Sequence, residues 1–517
     1  MSFRIGVDIG GTNTDAVLVN SADHVVAKAK MPTTLDVVSG IRAALAEVLT
    51  PAPQEPVVAA MLGTTQCTNA VVERQGLRSV AIVRLGAPAT AAVPPFADWP
   101  DDLRQAISGH VALVRGGHDF TGQELSPLGE DDIRRAAATA AEEGMPIAIV
   151  GVFSAVNPEH ERRAAEICAQ EAGDGHSISI SSMIGSIGFL ERENATILNA
   201  ALTEVARLAT TSFEAAVRSA CGATTCYFTQ NDGTLMALDY ARRYPSLMLA
   251  SGPANSMRGG AYLSGVANGL VVDVGGTTTD IGILVNGFPR EAPFVVDIGG
   301  VRTNFRMPDV VSLPLGGGTV VRQDGSRVAV GPDSVGYRLT QEGLAFGGGQ
   351  TTFTDVVLSL GRAELDVPVP RPALEQNLAE QAYRVALELL ERGVQRMRPS
   401  ADPMTGIGVG GGSVLLPECL DGNIEVVRPN DYAVANAIGA AISEVSGSVD
   451  RIVAIGARAI EAVHEEVRQE AIAQAVAAGA RPAAVRIVLW EEIPIAYLPG
   501  NAVRLRAKAA GPLAHAR

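Results

Sequence analysis

The residues best suited to chemistry form two matching stretches, Ile5-Gly6-Val7-Asp8-Ile9-Gly10-Gly11-Thr12-Asn13-Thr14-Asp15 and Val271-Val272-Asp273-Val274-Gly275-Gly276-Thr277-Thr278-Thr279-Asp280. Each is an apolar run closed by an Asp, then Gly-Gly-Thr, then a second Asp entering another apolar run. The pattern predicts strand, tight turn, strand, with glycine where backbone bends sharply or approaches a ligand. Peptide N–H groups turned outward at such a tip form a cradle for phosphate oxygens. The Asp at the strand end can hold Mg²⁺, usually through waters, on the same phosphates. One Gly-Gly-Thr hairpin has an ordinary structural explanation. Two copies suggest a duplicated domain with a phosphate chain clamped between the halves. Asp15 and Asp280 read either as further cleft carboxylates or as turn-stabilising residues.

Composition narrows the partners. A hydrophobic fraction of 47% supports large buried cores, and 4% aromatic residues argue against stacking platforms for single-stranded nucleic acid. A net charge of −15 without any basic run disfavours nucleic acid altogether. Apolar runs such as 147–153 fall well short of a membrane span, so no membrane partner is expected. The chain enters its first strand without the charged and apolar regions of a signal peptide. Its five cysteines form neither a CxxC pair nor a metal spacing with histidine, and read as reduced thiols. A cytoplasmic location is expected.

The elements that must position the turns follow in order. Residues 3–20 form the first hairpin, and 24–29 complete a meander ahead of a helix near 37–49. The strand 57–62 runs into Gly63-Thr64-Thr65 and a helix, where the threonines make either an anion contact at the helix start or a simple cap. The Pro- and Gly-rich stretch 86–129 reads as an inserted loop region. A long helical stretch, 185–220, carries Glu191, Arg192, Asn194 and Asn199, either as a solvated face or as a site edge. His160, near a helix start, reads as a surface or capping residue. Residues 295–300 imitate the hairpin motif, but Val301-Arg302-Thr303-Asn304 stands where threonines and an apolar return strand belong. The glycines of 316–318 and 347–349 are cleft loops or hairpin ends. Gly410-Gly411-Gly412 makes a third glycine turn, and the helix 432–445 carries small residues (Ala435, Ala437, Gly439, Ala440) that permit close packing.

Taken together, hairpin, connecting helix, second hairpin, third glycine turn and small-residue helix resemble the actin, heat-shock ATPase and sugar kinase superfamily. The resemblance implies an α/β fold of duplicated actin-like (ribonuclease H-like) ATPase domains with the nucleotide in the interdomain cleft. It implies ATP and Mg²⁺ as cofactors, with Asp8 and Asp273 as the catalytic, Mg²⁺-side carboxylates. Gly10, Gly11, Thr12, Asn13, Thr14, Gly275, Gly276, Thr277 and Thr278 would lie at the phosphates. Gly410, Gly411 and Gly412 would lie beneath the adenine or ribose. A Walker A motif is absent. The expected division is 1–200 for the first ATPase half, 201–447 for the second, with its last helix packing back at the hinge, and 448–517 for a small α/β appendix.

Flanking segments narrow the resemblance. Gly63-Thr64-Thr65-Gln66-Cys67-Thr68-Asn69-Ala70, Asn157-Pro158-Glu159-His160-Glu161, the stretch 191–199, Ser251-Gly252-Pro253-Ala254, Gly316-Gly317-Gly318-Thr319 and the stretch 346–362 are similar to the A subunit of the hydantoinase/oxoprolinase family. The likeness spans roughly 3–445. The family usually has His where this chain has Leu62, and Ser-Gly-Pro-Ala-Gly-Gly where it has Ser-Gly-Pro-Ala-Asn-Ser. Many members also carry a longer C-terminal region. The resemblance implies transfer of the ATP terminal phosphoryl group to the carbonyl oxygen of a cyclic amide (a hydantoin, 5-oxoproline or similar lactam), activating it for ring-opening hydrolysis. It also implies a B-type hydrolytic subunit as partner, and a homo- or hetero-oligomer. A small-molecule kinase, a ketone-activating carboxylase subunit and a non-enzymatic ATP-driven reactivating factor are the alternatives.

Overall fold

The computed structural model describes residues 2–33, 37–50, 55–173, 175–185, 187–292, 295–325, 327–365, 368–454, 459–496 and 501–514. Its first sheet grows from the N-terminal motif. β1 (Phe3–Ile9), β2 (Asn13–Asn20) and β3 (Val25–Pro32) form an antiparallel meander. β4 (Val57–Thr64) then lies parallel to β1, and β5 (Thr225–Thr229) parallel to β4. β1 and β2 are buried on both faces, which is why they read as continuous apolar runs rather than as an alternation. The short β6 (Leu235–Ala237) pairs antiparallel with β5.

The second sheet repeats the same plan after helix α1 (Ser251–Ser264). β7 (Gly269–Val274) and β8 (Thr279–Val285) form the antiparallel hairpin. β9 (Met404–Val409) lies parallel to β7, and β10 (Ile424–Val427) parallel to β9. Phe288–Pro289 and Val310–Leu313 extend β8 on the outer side. Each half holds its own apolar core, so this is the expected duplicated actin-like α/β architecture with a cleft between the halves.

The expected boundaries need correction. Residues 201–250 do not belong to the second half, because β5 and β6 pair into the first sheet. Residues 448–517 are no separate appendix either. β11 (Val445–Ala454), β12 (Arg486–Pro494) and β13 (Ala502–Gly511) continue the first sheet, which runs β12-β13-β11-β6-β5-β4-β1-β2-β3. Met61 and Ala59 of β4 share a core with Leu505 and Ala507 of β13.

A four-stranded parallel sheet is inserted between β4 and β5, and it includes Ser108–Arg115, so the expected loop region 86–129 contains a helix (Asp101–Ile107) and a strand. The stretch 185–220 is two helices, Phe189–Ala201 and Thr203–Cys221. The first is neither a solvated face nor a site edge. Arg84 donates from Nε to Glu193 at 2.7 Å, Trp99 donates to Asn194 at 2.8 Å, and Asn199 donates to Ser179 at 3.0 Å, all buried. Residues 296–298 do find a return strand, 301–303, but this small hairpin stays outside both main sheets.

α1 and α2 (Ala435–Ile442) lie between the halves. Ala437 and Ile438 pack on Val17 and Val19 of the first sheet, whereas Met257 and Ala435 pack on Val271 and Val409 of the second. The two helices touch backbone to backbone. A methyl group on Gly259 would overlap the Ala435 carbonyl, and one on Gly439 would overlap the Asn255 carbonyl. Gly439→Ala should therefore force the helices apart and cost about 1–3 kcal/mol. Chemical denaturation checks this, and an unchanged unfolding midpoint would contradict the interlock.

Candidate functional site

The two hairpin tips meet in a cleft of about 520 Å³ between the halves. Both turns close with the same hydrogen bond, Gly10 N–H to Asn13 O and Gly275 N–H to Thr278 O, each 2.9 Å. The amides of Gly11, Thr12, Gly276 and Thr277 have no hydrogen-bond partner among the described residues. The tips nearly touch, since a methyl group on Gly276 would lie 2.9 Å from Thr12 Oγ1. The third glycine turn follows β9 and adjoins the second hairpin. Gly412 N–H donates to Val274 O at 2.8 Å, and a methyl on Gly410 would overlap the Asp273 carboxylate.

Register does the rest. Asp8 stands directly opposite Asp15 in the first hairpin, and Asp273 directly opposite Asp280 in the second. All four carboxylates line the cleft, so Asp15 and Asp280 belong to it. Among its described lining residues, Lys30 is the one cation facing these four groups; its ammonium donates to Asp15 Oδ2 at 3.2 Å and to the Ala433 carbonyl at 3.0 Å. Asp8 is 3% exposed and held by two amides, Asn436 Nδ2 at 2.8 Å and Asn255 Nδ2 at 3.5 Å. Burial, with Asp15 and Asp273 nearby, pushes its carboxyl up to about 7 against those two donors. Burial and Asp273 raise Asp280 to about 6. Burial also raises Asp273, against a hydrogen bond from Ser256 and the charge of Lys30. Asp15 is raised by burial in spite of Lys30, and its Oδ1 is buried without a partner.

Of the sequence-derived candidates, Asp8, Gly10, Gly11, Thr12, Asn13, Asp273, Gly275, Gly276, Thr277, Thr278, Gly410, Gly411 and Gly412 come together in this cleft. Thr14 does not. It is 1% exposed, with its hydroxyl 3.4 Å from that of Thr33 on the far side of β2. Thr65 lines the cleft at the N-cap of the helix and donates to Ile9 O at 3.3 Å, while the Thr64 hydroxyl accepts from the first helical amide, Gln66 N–H, at 3.2 Å. Gly317 lines the cleft and its N–H bonds Gly275 O, bracing the second hairpin. Asp355 instead closes a helix-capping box with Thr352. His160 accepts from Gly117 N–H at 2.9 Å in the inserted unit. Sequence reasoning missed Lys30 and Asn436, and saw Asn255 and Ser256 only as a departure in spelling. A lone polar residue in the small-residue run Ala435-Asn436-Ala437 was the available signal.

Comparisons with known proteins meet this geometry. Residues 4–172 match the family model described as hydantoinase/oxoprolinase N-terminal region, and residues 192–368 match the model described as hydantoinase/oxoprolinase. This chain belongs to the hydantoinase/oxoprolinase family. It is 27% identical over 421 residues to the acetophenone carboxylase gamma subunit of Aromatoleum aromaticum, covering 74% of this chain and 56% of that protein. It is 28% identical over 389 residues to the caprolactamase subunit alpha of Pseudomonas jessenii, covering 69% and 54%. The chain thus spans just over half the length of these curated relatives. In fold it matches the ATP-dependent caprolactamase from Pseudomonas jessenii, with a TM-score of 0.80 at 20% identity, over 99% of this chain and 88% of that one. Nucleotide-free acetone carboxylase gives 0.66 at 17% identity over the same shares. Among the described residues of this hydantoinase/oxoprolinase-family chain, no helix is long and apolar enough to cross a membrane.

The site fits a polyphosphate with a divalent cation: unpaired amides at two facing tips, four carboxylates against one ammonium, and an orphaned buried carboxylate oxygen. Without a cation the raised carboxyls stay protonated in the folded state over a range where the unfolded chain has released its protons. Stability should therefore fall as pH rises from about 4 to about 7, by at most about 4 kcal/mol for Asp8. Thermal unfolding of metal-free protein between about pH 5 and about pH 8 should show this fall, and Asp280→Asn should flatten it. Identical pH profiles for wild type and Asp280→Asn would remove Asp280 from the carboxylate cage.

Proposed function

We propose that this chain is the ATP-using subunit of an enzyme that phosphorylates the carbonyl oxygen of a cyclic amide, such as a hydantoin, 5-oxoproline or a related lactam, for ring-opening hydrolysis. One observation carries the reading: in a chain of this family, two glycine hairpins face each other with free amides above four converging carboxylates. Bound Mg·ATP would supply the transferable phosphoryl group and the charge that neutralises the carboxylates. The tip amides of Gly11, Thr12, Gly276 and Thr277 would hold phosphate oxygens, and Asp8 and Asp273 would hold the cation, directly or through water. Gly410, Gly411 and Gly412 would underlie the nucleoside, with Val414, Leu415 and Leu339 as its apolar wall.

Phosphorylation makes chemical sense for an amide. Resonance leaves the ring carbonyl a poor electrophile, and an O-phosphoryl group turns its oxygen into a leaving group. Such transfer needs positioning and charge neutralisation more than covalent help from the protein. Hydrolysis would fall to a B-type partner subunit, in keeping with relatives that are themselves named as subunits. A cytoplasmic enzyme assembled from two kinds of chain is part of the same reading. The likeness to the acetophenone carboxylase gamma subunit favours a second reading, in which the acceptor is the enol oxygen of a ketone awaiting carboxylation.

ADP release from Mg·ATP across lactams, hydantoins and simple ketones tests both readings. Stimulation by a lactam or hydantoin supports the first, and stimulation by a ketone alone replaces it with the second. Asp8→Asn and Asp273→Asn should each lower turnover by at least about a hundredfold while the protein stays folded. Wild-type turnover in either folded variant would sink the phosphate-clamp assignment.

A further inference from the structure

α1 reaches a carboxylate of each hairpin with two consecutive residues. Asn255 Nδ2 donates to Asp8 Oδ1 at 3.5 Å and to Thr229 Oγ1 at 3.0 Å, while Ser256 lines the cleft beside Asp273 and favours its charged form. Neighbouring side chains on a helix point about 100° apart, so one helix serves two walls only by lying between them. α1 does so. Ser251 at its start donates to Thr64 O of β4 at 3.1 Å, and Gly252 and Pro253 line the cleft. Further along, Gly259 is locked against α2.

Asn255 is completely buried and boxed in. A methyl group on Gly63 would overlap its side-chain amide nitrogen, and one on Gly439 would overlap its backbone carbonyl. Its own Oδ1 is buried without a hydrogen-bond partner. Leaving an amide oxygen unsatisfied in this way costs about 1–3 kcal/mol. Packing alone would favour a small apolar residue here; the donor end of the amide is what is used, held on Thr229 at 3.0 Å and reaching Asp8 at 3.5 Å.

We propose that Asn255 and Ser256 are positioning residues that hold Asp8 and Asp273 at one separation across the cleft, so that α1 sets the cation-binding geometry. The inference rests on the reading of the cleft as a Mg²⁺–nucleotide site. Glycine at positions 255 and 256 makes neither contact, so the hairpin motifs alone do not encode this device. Asn436 of α2 holds the other oxygen of Asp8, which makes the α1–α2 interlock part of the same frame.

Calorimetric titration of the full chain with ADP, in the presence and absence of Mg²⁺, tests the proposal. Asn255→Ala and Ser256→Ala should each weaken the Mg²⁺-dependent affinity about tenfold, the lower end for residues that orient metal ligands, with metal-free ADP binding within about twofold. Ser256→Thr keeps the hydroxyl and should restore wild-type affinity. The double variant should lose less than the product of the single losses, because both residues serve one geometry. Should Asn255→Ala fail to fold, the Ser256→Ala and Ser256→Thr pair decides alone. Retention of the full Mg²⁺ effect in folded single variants, or an equal loss of metal-free binding, would overturn the positioning role and leave the nucleotide reading standing. Absence of any ADP binding by the wild-type chain would overturn both.

Discussion

Each hairpin sets two carboxylates directly across from one another, and the two hairpins then bring both pairs into one cleft. Like charges opposite one another on neighbouring strands are unfavourable by up to about 1 kcal/mol even at a surface. Burial raises Asp8, Asp273 and Asp280, and a neighbouring carboxylate raises Asp8 and Asp280 further. Much of the surrounding structure can be understood as containing this repulsion. Lys30 reaches from β3 to Asp15, Asn255 and Asn436 donate to Asp8, and Ser256 favours the charged form of Asp273. These contacts leave the site short of positive charge, which a divalent cation would complete. Local strain of this kind survives only where the rest of the fold over-determines it. Here two separate cores and two interlocked helices do so.

What the sequence made legible was local. A strand that ends in Asp before Gly-Gly-Thr encodes its turn, its free amides and its carboxylate within a dozen residues, and the repeat exposes the duplication. Thr14 lies outside the cleft lining for a reason equally local. Side chains alternate along a strand, so Asn13 and Asp15 face the cleft while Thr14 faces away. The period of two, applied strictly, rejects Thr14. Asn255 and Asn436 were hidden because they sit on helices whose pattern of small residues speaks only of close packing. Their function lies in contact with Asp8, hundreds of residues distant in sequence.

The boundary at 200 failed because of long-range pairing. β5 lies parallel to β4, but the inserted sheet separates the two in the chain, and no local pattern announces which strand will be the neighbour. The inserted unit also explains the polar helix Phe189–Ala201. Its Glu193, Asn194 and Asn199 are turned inward, where they bond Arg84, Trp99 and Ser179 from the insertion and its loops. The desolvation cost of a buried ion pair offsets most of its attraction, so Arg84–Glu193 contributes orientation more than net stability. It fixes how the insertion sits on the first half.

Largely buried charge pairs also join the C-terminal strands to the second half. Arg506 of β13 pairs with Glu291 and Glu491, and Asp450 of β11 pairs with Arg504 at 2.7 Å and with Arg306 at 3.1 Å. Glu291 and Arg306 lie beside the outer strands of the second sheet, so these pairs cross between the halves. Arg258 of α1 adds its guanidinium 4.0 Å above the ring of Phe288. The halves are therefore held together at two places of different chemistry, an apolar glycine-bearing helix interlock and a cluster of largely buried charges. The helix interlock is short-ranged and lost on any separation of the backbones. Charge pairs weaken more gradually with distance. The α1–α2 contact therefore fixes the spacing of the halves where Asn255 and Asn436 meet Asp8, and the charge cluster ties them at a second place.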